Sequence, residues 1–455
     1  MRINKILKVI FLFVSLVCAL VIFNHARQKR LNVILITLDA LRYDHLSCYG
    51  YKRNTCPNID MIAKKGALFT QAIAQSSHTA PSVSSIMTSA MPNSHLVSGW
   101  GCVLNPKLRT LAEILKSQGF KTAFFCGNLS FKINDIKGIE RGFDSFFVTS
   151  SEEKVITNKA VEFINQNMNR PFFIYLHYMN THSPYISSKH FDNLFIGDNL
   201  YDKQKSLPIV TPTDDLYGFG GIPETLSRQH GGIANPDYYI AKYDQGLRTV
   251  DEEIRIILKT LEEYRLDKKT ILIITSDHGE MFGENNLYFH HAVFLYEPLI
   301  RVPLIIRCDK IIPQNKVIEK QISASIDIMP TIMDILGINK TKTMEGVSLL
   351  PLILGKDSYP SSCVLADEGA IEKCIRTKEW KLDYIARDGK KEYHLYNLKN
   401  DTGELSSLPL EEKGEFKFLK DKLDSYLQAK FKKGYTSPLL TEDEKNSLRS
   451  LGYIQ

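Results

Sequence analysis

The chain has 455 residues, of which 44% are hydrophobic and 24% charged, a balance typical of soluble globular proteins and sufficient for one large and one smaller domain. The net charge of +6 resides entirely in the first 30 residues, so the chain from Leu31 onward is formally neutral. Binding to nucleic-acid phosphates needs a positively charged surface, so from this charge distribution we expect no nucleic-acid partner.

The first 30 residues predict a membrane anchor. Val9–Phe23 is apolar apart from Ser15 and Cys18, and counted from Ile6 the run approaches the ~20 residues that span a bilayer. A cleaved signal peptide is the alternative, but no small-x-small cleavage site follows the apolar run. Basic residues flank the run equally and do not choose its orientation. We expect an uncleaved single-pass segment at the cell membrane, with the rest of the chain outside the cytoplasm.

From Leu31 the sequence alternates short apolar runs with segments of helical periodicity, which predicts an α/β fold. The strands are too apolar to face solvent on either side, so we expect a mixed, mainly parallel sheet sandwiched by helices. The predicted strands are 32–38, 122–125, 172–176, 270–274 and 302–306. The predicted helices are 57–66, 82–89, 111–118 and a long one starting near Tyr238.

The pattern changes twice along the chain. Residues 186–236 are rich in Gly, Asp and Pro with scattered aromatic residues, and we interpret them as an insertion that serves as a substrate lid, with a surface loop as the alternative. Residues 362–398 predict several short strands, followed by a helix over 410–431. We therefore expect a main domain over 31–345 and a small C-terminal antiparallel α+β subdomain with a tail over 346–455.

Seven cysteines lie outside the predicted anchor, and their odd number leaves at least one thiol unpaired in a monomer. Cys48 with Cys56, or Cys363 with Cys374, could close short loops as disulfides, and the sequence leaves both pairings open.

Polar residues follow several predicted strands. Asp39 ends the first strand, His182 follows the strand at 172–176, and Asp277 and His278 follow the strand at 270–274. Ligands of parallel sheets bind beyond the carboxyl ends of the strands. We expect these four side chains to converge.

An ordered set of motifs resembles the sulfatase branch of the alkaline phosphatase superfamily. Each motif is weak alone, but their order along nearly the whole chain after residue 30 is specific. The motifs are Leu38–Leu46, Cys48–Tyr51, Pro57–Asp60, Ser77–Val83, His182–Tyr185, Thr275–Glu280, Leu295–Glu297, Leu395–Leu398 and Leu451–Tyr453. The resemblance implies a sulfatase-like fold for the main domain.

The resemblance also implies one divalent metal ion. Asp39, Asp277 and His278 would be its ligands, with Thr79 at the fourth position. A metal ion lowers the pKa of a neighbouring hydroxyl and orients it for attack on phosphorus or sulfur. The mixture of oxygen and imidazole ligands favours manganese or zinc, with calcium or magnesium as alternatives.

Three further residues are implied to act on the substrate. His182 and His291 would hold oxygens of the transferred group or protonate the leaving oxygen, so both are candidate catalytic residues together with Thr79. Asn128 occupies a position that contacts the substrate in the family.

The chain departs from the sulfatase pattern at five positions. Thr79 stands where sulfatases carry the Cys or Ser that is oxidised to formylglycine, and oxidation of a threonine would give a ketone rather than an aldehyde. Ala40 replaces a second aspartate, and Val83 replaces an arginine. Asn128 and Ser130 stand where sulfatases have a lysine and a histidine.

These departures lead to three functional hypotheses. The phosphoglycerol and phosphoethanolamine transferases of the superfamily use a threonine beside the metal, so the leading prediction is a phosphodiester hydrolase or transferase with a Thr79 nucleophile. A sulfuric ester hydrolase with non-formylglycine chemistry and a catalytically inactive binding protein are the alternatives. The expected substrate is an ester on a lipid headgroup or a glycan, and the sequence gives no signal of the oligomeric state.

Overall fold

A computed structural model of the chain describes residues 31–133, 136–150, 152–211, 219–356, 359–360, 362–387, 389–410, 414–428 and 435–436. The predicted anchor over 1–30 and the motif Leu451–Tyr453 lie outside the described residues. Within the described part of the chain, no helix combines the length and apolar character needed to cross a membrane.

Among the described residues, nine strands form the main sheet. They are β1 (Asn32–Leu38), β2 (Ala67–Ile73), β4 (Lys121–Cys126), β5 (Ser145–Val148), β6 (Phe172–Tyr178), β9 (Thr270–Thr275), β10 (Arg301–Arg307), β11 (Lys316–Ile318) and β12 (Ile322–Ser323). Their order is β11-β2-β10-β9-β1-β6-β4-β5, with β12 also beside β2. Two short pairs stand apart: β3 (Cys102–Val103) with β17 (Tyr435–Thr436), and β7 (Ile209–Val210) with β8 (Ile222–Pro223).

The centre of the sheet is parallel. β1 lies between β9 and β6 and runs parallel to both, with Thr37 opposite Thr275 on one side and His177 on the other. β10 is antiparallel to β9 and to β2. The prediction that the strands at 32–38 and 270–274 are neighbours in one mixed, mainly parallel sheet is confirmed.

Most helices of the described residues lie on the two faces of this sheet, and the last one packs on the C-terminal sheet. The helices are α1 (Pro57–Lys64), α2 (Thr79–Thr88), α3 (Pro92–His95), α4 (Leu111–Ser117), α5 (Ser130–Ile133), α6 (Glu153–Asn167), α7 (Glu224–Gln229), α8 (Pro236–Glu263), α9 (Glu297–Ile300), α10 (Ala324–Leu336), α11 (Leu350–Ile353) and α12 (Glu415–Gln428). Short 3-10 helices occur at Tyr43–His45, Ser47–Tyr49, Asp267–Lys269 and Glu284–Asn286.

Successive residues of the central strand feed two separate cores. Val33 and Leu35 of β1 belong to one apolar layer, whereas Ile34 and Ile36 belong to the other. Side chains of a strand alternate between the two faces, so a strand buried on both faces must be apolar throughout. This alternation explains why the sequence of β1 reads as one continuous hydrophobic run.

The C-terminal part forms an antiparallel sheet of β13 (Val364–Glu368), β14 (Glu372–Arg376), β15 (Trp380–Arg387) and β16 (Lys390–Asn397). Helix α12 packs Leu419 and Leu423 against Ile375 and Leu382 of this sheet. The predicted small antiparallel subdomain is confirmed as part of the fold, and its helix covers Glu415–Gln428 of the described residues within the predicted range 410–431.

Two of the element boundaries that differ from the predictions affect the site. Helix α2 begins at Thr79 rather than at Ser82, because the amide of Ser82 donates to the carbonyl of His78 at 3.1 Å and closes the first turn. Pro81 is compatible with this turn, where an amide has no intrahelical partner. Strand β6 continues past Leu176 to Tyr178, which places His177 inside the strand.

The described part of the 186–236 insertion is anchored to the main domain. Arg53 forms a two-pronged ion pair with Asp198, at 2.7 and 2.8 Å, and lies over the ring of Phe195. Phe191 and Phe195 are both buried. The role of the insertion as a lid stays a prediction.

Candidate active site

Four predicted residues meet beyond the carboxyl ends of the two central strands. Asp39 follows β1, and Asp277 and His278 follow β9; all three side chains are fully buried. The loops are tied together because the Ser276 hydroxyl donates to the Leu38 carbonyl at 2.6 Å. Thr79, the first residue of α2, reaches the same point from the opposite side.

The four side chains surround one small space. His278 Nε2 lies 3.5 Å from Asp39 Oδ1, 3.7 Å from Asp277 Oδ2 and 3.1 Å from Thr79 Oγ1. Ligands bonded to one ion at about 2.1 Å stand roughly 3 to 3.5 Å apart. Although buried, Asp39 Oδ1 and Asp277 Oδ2 accept no hydrogen bond from any described residue. Two buried carboxylate oxygens without a hydrogen-bond donor are suited to bind a divalent cation.

The backbone prepares His278 for such a role. Its Nδ1 lies 2.9 Å from the Gly279 carbonyl, so Nδ1 donates there and Nε2 is left as the acceptor that faces the carboxylates. Gly279 is required for this turn, because a Cβ at its position would lie 1.9 Å from the Pro298 carbonyl oxygen.

The electrostatics of the cluster also favour a cation. Burial tends to raise the pKa of Asp39, but the charges of His182, His177 and His278 hold it below its ordinary value. Burial and the adjacent charge of Asp39 raise the pKa of Asp277. The pKa of His278 is raised despite burial, because both carboxylates stabilise its protonated form. A divalent ion would remove the repulsion between the two carboxylates.

Thr79 is presented by a loop that the C-terminal sheet holds in place. Every residue of α2 is buried, and its N-terminal residue Thr79 contacts the cluster at the helix end that favours negative charge. One oxygen of Glu368, Oε2 in β13, accepts from the Ser76 hydroxyl at 2.7 Å, the Ser77 hydroxyl at 2.9 Å and the Ser77 amide at 2.9 Å. The small sheet therefore fixes the residues that lead into Thr79.

The two candidate catalytic histidines lie together beside the cluster. The ring centroid of His291 is 4.9 Å from that of His182 and 4.5 Å from that of His278. His182 donates from Nδ1 to the Ser183 carbonyl at 2.7 Å, and His291 Nδ1 lies 3.3 Å from Glu280 Oε1. Burial and the charges of His278 and His182 lower the pKa of His291 well below its ordinary value.

Asn128 lies closer to the metal ligands than the sequence suggested. Its amide nitrogen donates to Asp39 Oδ2 at 3.3 Å, so it contacts a predicted ligand. Val83 is fully buried in the apolar core that α2 shares with the sheet, where it offers no polar contact.

Two residues near the cluster escaped the sequence analysis. His177 Nε2 lies 2.9 Å from Asp39 Oδ2, and Glu368 holds the loop before Thr79. A histidine within an otherwise apolar strand signals a buried polar role, which could have drawn attention to His177. No local signal marks Glu368, which is separated from Ser76 by 292 positions.

The chain is similar to sulfatases over most of its length. The sulfatase family profile matches residues 31–338, and the profile of the N-sulphoglucosamine sulphohydrolase C-terminal region matches residues 283–433. An N-acetylglucosamine-6-O-sulfatase of Bacteroides thetaiotaomicron is 24% identical over 471 aligned positions, covering 84% of this chain and 83% of the relative. A Δ4,5-hexuronate-2-O-sulfatase of the same organism is 23% identical, covering 84% and 85%.

Solved structures agree with the fold. A protein determined in complex with its substrate D-glucosamine-2-N,6-O-disulfate superposes with a TM-score of 0.67 at 20% identity, covering 93% of this chain and 98% of that chain. The phosphonate monoester hydrolase of Agrobacterium radiobacter gives a TM-score of 0.68 at 18% identity, covering 88% and 95%. The profile match over 31–338 and the shared fold lead to one conclusion: the chain belongs to the sulfatase family, whose enzymes hydrolyse sulfuric esters.

Proposed function

We propose that this protein is a metal-dependent sulfuric ester hydrolase that acts on a sulfated carbohydrate, with Thr79 as its nucleophile. The observation that carries the proposal is the placement of the Thr79 hydroxyl, 3.1 Å from His278 Nε2, at the two unsatisfied carboxylate oxygens of a sulfatase-family site. The carbohydrate sulfatases among its relatives support the substrate class. This reverses the preference for phosphodiesters that the sequence suggested.

The residues of the cluster suit a two-step displacement. Asp39, Asp277 and His278 would hold the ion, which supplies a lowered hydroxyl pKa and compensation of charge on the ester oxygens. Thr79 Oγ1 loses its proton to solvent and attacks sulfur, and the bond from sulfur to the leaving oxygen breaks. His291 or His182 gives a proton to that oxygen and releases the alcohol. The same histidine then takes a proton from water, which attacks sulfur, and the bond from sulfur to Thr79 Oγ1 breaks. Sulfate leaves, and Thr79 Oγ1 regains a proton from solvent.

The charge of the site fits a singly charged group. Asn128 and Val83 are neutral, so the positive side chains that would compensate a second negative charge are absent at these positions. A sulfate monoester carries a single negative charge at neutral pH, and so does a phosphate diester. Charge alone therefore accommodates both esters, and similarity to sulfatases favours the first.

A phosphodiester hydrolase or transferase is the second candidate, and Thr79 itself favours it. A group transferred to a threonine oxygen cannot be expelled by a second hydroxyl on the same carbon, because threonine has none. Water must release this group, or an acceptor alcohol must take it. Phosphoryl groups commonly follow such covalent routes. The phosphonate monoester hydrolase with the same fold shows that the architecture also accommodates phosphorus chemistry in that protein.

Paired substrates separate the two candidates. Full-length protein loaded with zinc or manganese is assayed on 4-nitrophenyl sulfate, bis(4-nitrophenyl) phosphate and a 6-O-sulfated glucosamine, with Thr79→Ala as the blank. Sulfate release that depends on Thr79 supports the first candidate, whereas phosphodiester turnover alone supports the second. Peptide mass spectrometry after rapid acid quenching should find the covalent adduct on Thr79. Metal-loaded protein without turnover of any of the three esters would contradict both.

We also propose that the segment over residues 1–30 anchors the enzyme at the cell membrane with its catalytic domain outside the cytoplasm. The apolar run Val9–Phe23 between two basic clusters supports this. Full-length protein should be recovered in the membrane fraction, and protein without this segment in the soluble fraction. Protease added to intact cells or spheroplasts should digest the anchored domain. Recovery of the full-length chain in the soluble fraction would contradict the proposal.

A further inference from the structure

The metal cluster contains a histidine that the family pattern does not account for. Ala40 is fully buried with a φ of 58°, and its methyl group offers no ligand where sulfatases have a second aspartate. His177 of the neighbouring strand β6 is equally buried, and its Nε2 lies 2.9 Å from Asp39 Oδ2. A ligand position is lost on one strand end, and a side chain able to coordinate stands on the next.

The distances allow His177 to share an ion with the two carboxylates. Its coordinating nitrogen and one oxygen each of Asp39 and Asp277 all lie within 4.8 Å of one another. Two ligands on opposite sides of one ion, with bonds of about 2.0–2.4 Å, stand at most about 4.8 Å apart. The three atoms therefore fit within a single coordination sphere.

A neighbouring tyrosine can set the ring in the required tautomer. Tyr175 Oη lies 3.1 Å from His177 Nδ1, and both side chains are fully buried. Without an ion, Nε2–H donates to Asp39 and Nδ1 accepts from the tyrosine hydroxyl. With the proton on Nδ1, the ring donates to Tyr175 and Nε2 is free to bind a cation. Such outer partners normally fix the tautomer of a ligating histidine.

We propose that His177 is a ligand of the divalent ion and takes the place of the carboxylate that Ala40 cannot supply. The inference rests on the metal-dependent activity proposed above. His278 adds a second imidazole, because its Nε2 lies 3.5 Å from Asp39 Oδ1 and 3.7 Å from Asp277 Oδ2. A set of two carboxylates and two imidazoles favours zinc or manganese over calcium and magnesium, which prefer oxygen ligands. The exchange of a carboxylate for an imidazole also makes the loaded centre one charge more positive than a three-carboxylate centre.

Zinc binding to the metal-free full-length protein tests the proposal. X-ray absorption at the zinc edge should show two imidazole ligands in the wild type and one in His177→Ala. Calorimetry should show zinc affinity reduced by more than about 100-fold in His177→Ala, beyond the loss typical of an outer partner. His45→Ala is the matched control, because His45 forms a similar buried pair with Asp244, at 2.7 Å, away from the cluster.

A rescue variant separates a ligand from a structural contact. Aspartate tolerates the left-handed backbone better than most residues, so Ala40→Asp can be placed at this position. In the His177→Ala background it should restore zinc affinity to within about 10-fold of wild type, and thermal melts of the metal-free variants show whether each one folds. If His177→Ala fails to fold, the number of imidazole ligands in the X-ray absorption spectrum of the wild-type protein tests the proposal by itself.

One outcome overturns the proposal: a single imidazole in the wild-type spectrum, which would leave His177 as only a hydrogen-bond partner of Asp39. Failure of the proposed function gives a different result. Two imidazoles in protein that hydrolyses neither ester would contradict the enzyme activity and leave the assignment of His177 intact.

Discussion

The site has two halves that differ in how closely they follow the sulfatase pattern. The proposed metal-binding half comprises Asp39, His177, Asp277 and His278, and it gathers acidic and imidazole groups at the ends of adjoining strands. The ester-facing half comprises Thr79, Val83 and Asn128, where the nucleophile and the charged contacts of the pattern are replaced. Coordination geometry restricts the ligands of an ion, whereas the groups around an ester vary with the ester and its route of cleavage. The first half is thus a candidate site for a divalent ion, and we expect the second to determine which reaction follows.

The largest effect is expected at Thr79. Thr79→Ala should lower kcat by about 10³-fold or more, because the covalent route is lost while the side chain is small. Thr79→Ser should retain measurable activity, since a primary hydroxyl reaches the same position. Steady-state kinetics on the active ester measures both variants. If Thr79→Ala stays within a few-fold of wild type, the ester-facing half has no nucleophile at this position.

Asp277→Asn should break the metal-binding half. The loss of one of two buried carboxylates should weaken zinc or manganese binding by more than about 100-fold, since even outer partners cost 10- to 100-fold. Calorimetry with the metal-free protein measures this. Asp244→Asn is the control, as Asp244 is also fully buried but pairs with His45 and Arg53 away from the cluster. Equal losses in both variants would show general destabilisation instead of ligand removal.

His291→Ala should reveal whether His291, which lies beside the two halves, protonates the leaving oxygen. We expect kcat to fall by about 100-fold for a sugar ester, whose alcohol needs a proton to leave. The loss should be much smaller for a 4-nitrophenyl ester, because nitrophenolate leaves without protonation. Comparison of the two substrates in wild type and variant gives the ratio. An equal loss on both would assign His291 to binding of the transferred group.

Glu368→Gln should show that the C-terminal sheet positions Thr79 of the ester-facing half. Loss of the charged acceptor for Ser76 and Ser77 should lower kcat by roughly 10-fold through displacement of the loop before Thr79, and stability by about 1–3 kcal/mol. Metal affinity should remain near wild type. Glu372→Gln in the adjacent strand is the control, because Glu372 is buried but contacts the Leu295 amide at 3.3 Å. A comparable fall in kcat for this control would contradict a specific role for Glu368.

The smallest effect is expected for Asn128→Ala, which tests where the two halves meet. Its contact with Asp39 Oδ2 is long, at 3.3 Å, and comes from a neutral amide, so metal affinity should fall only a few-fold. Calorimetry and KM for the active ester distinguish the halves. A large rise in KM with unchanged metal affinity would place Asn128 on the substrate instead.

The strands and long helices could be predicted from the sequence because each is determined by a local pattern. The continuous apolar run of β1 and the three-to-four-residue spacing of α8 are visible in short windows. The convergence of Asp39, Asp277 and His278 also followed, since a parallel sheet brings strand ends to one edge. Element ends were less accurate, as at the start of α2, because they depend on single hydrogen bonds such as the one from Ser82 to His78.

The sequence by itself determined the sulfatase-like fold, the candidate metal ligands that follow the first and ninth strands, and the threonine in place of the expected nucleophile. Only the tertiary structure decided that His177 faces Asp39 and that Glu368 holds the loop before Thr79. Both contacts join residues more than a hundred positions apart, and a buried polar atom is satisfied by whichever partner the packing brings within reach. A local pattern shows that such an atom is buried, but the partner is determined by the arrangement of whole strands and sheets.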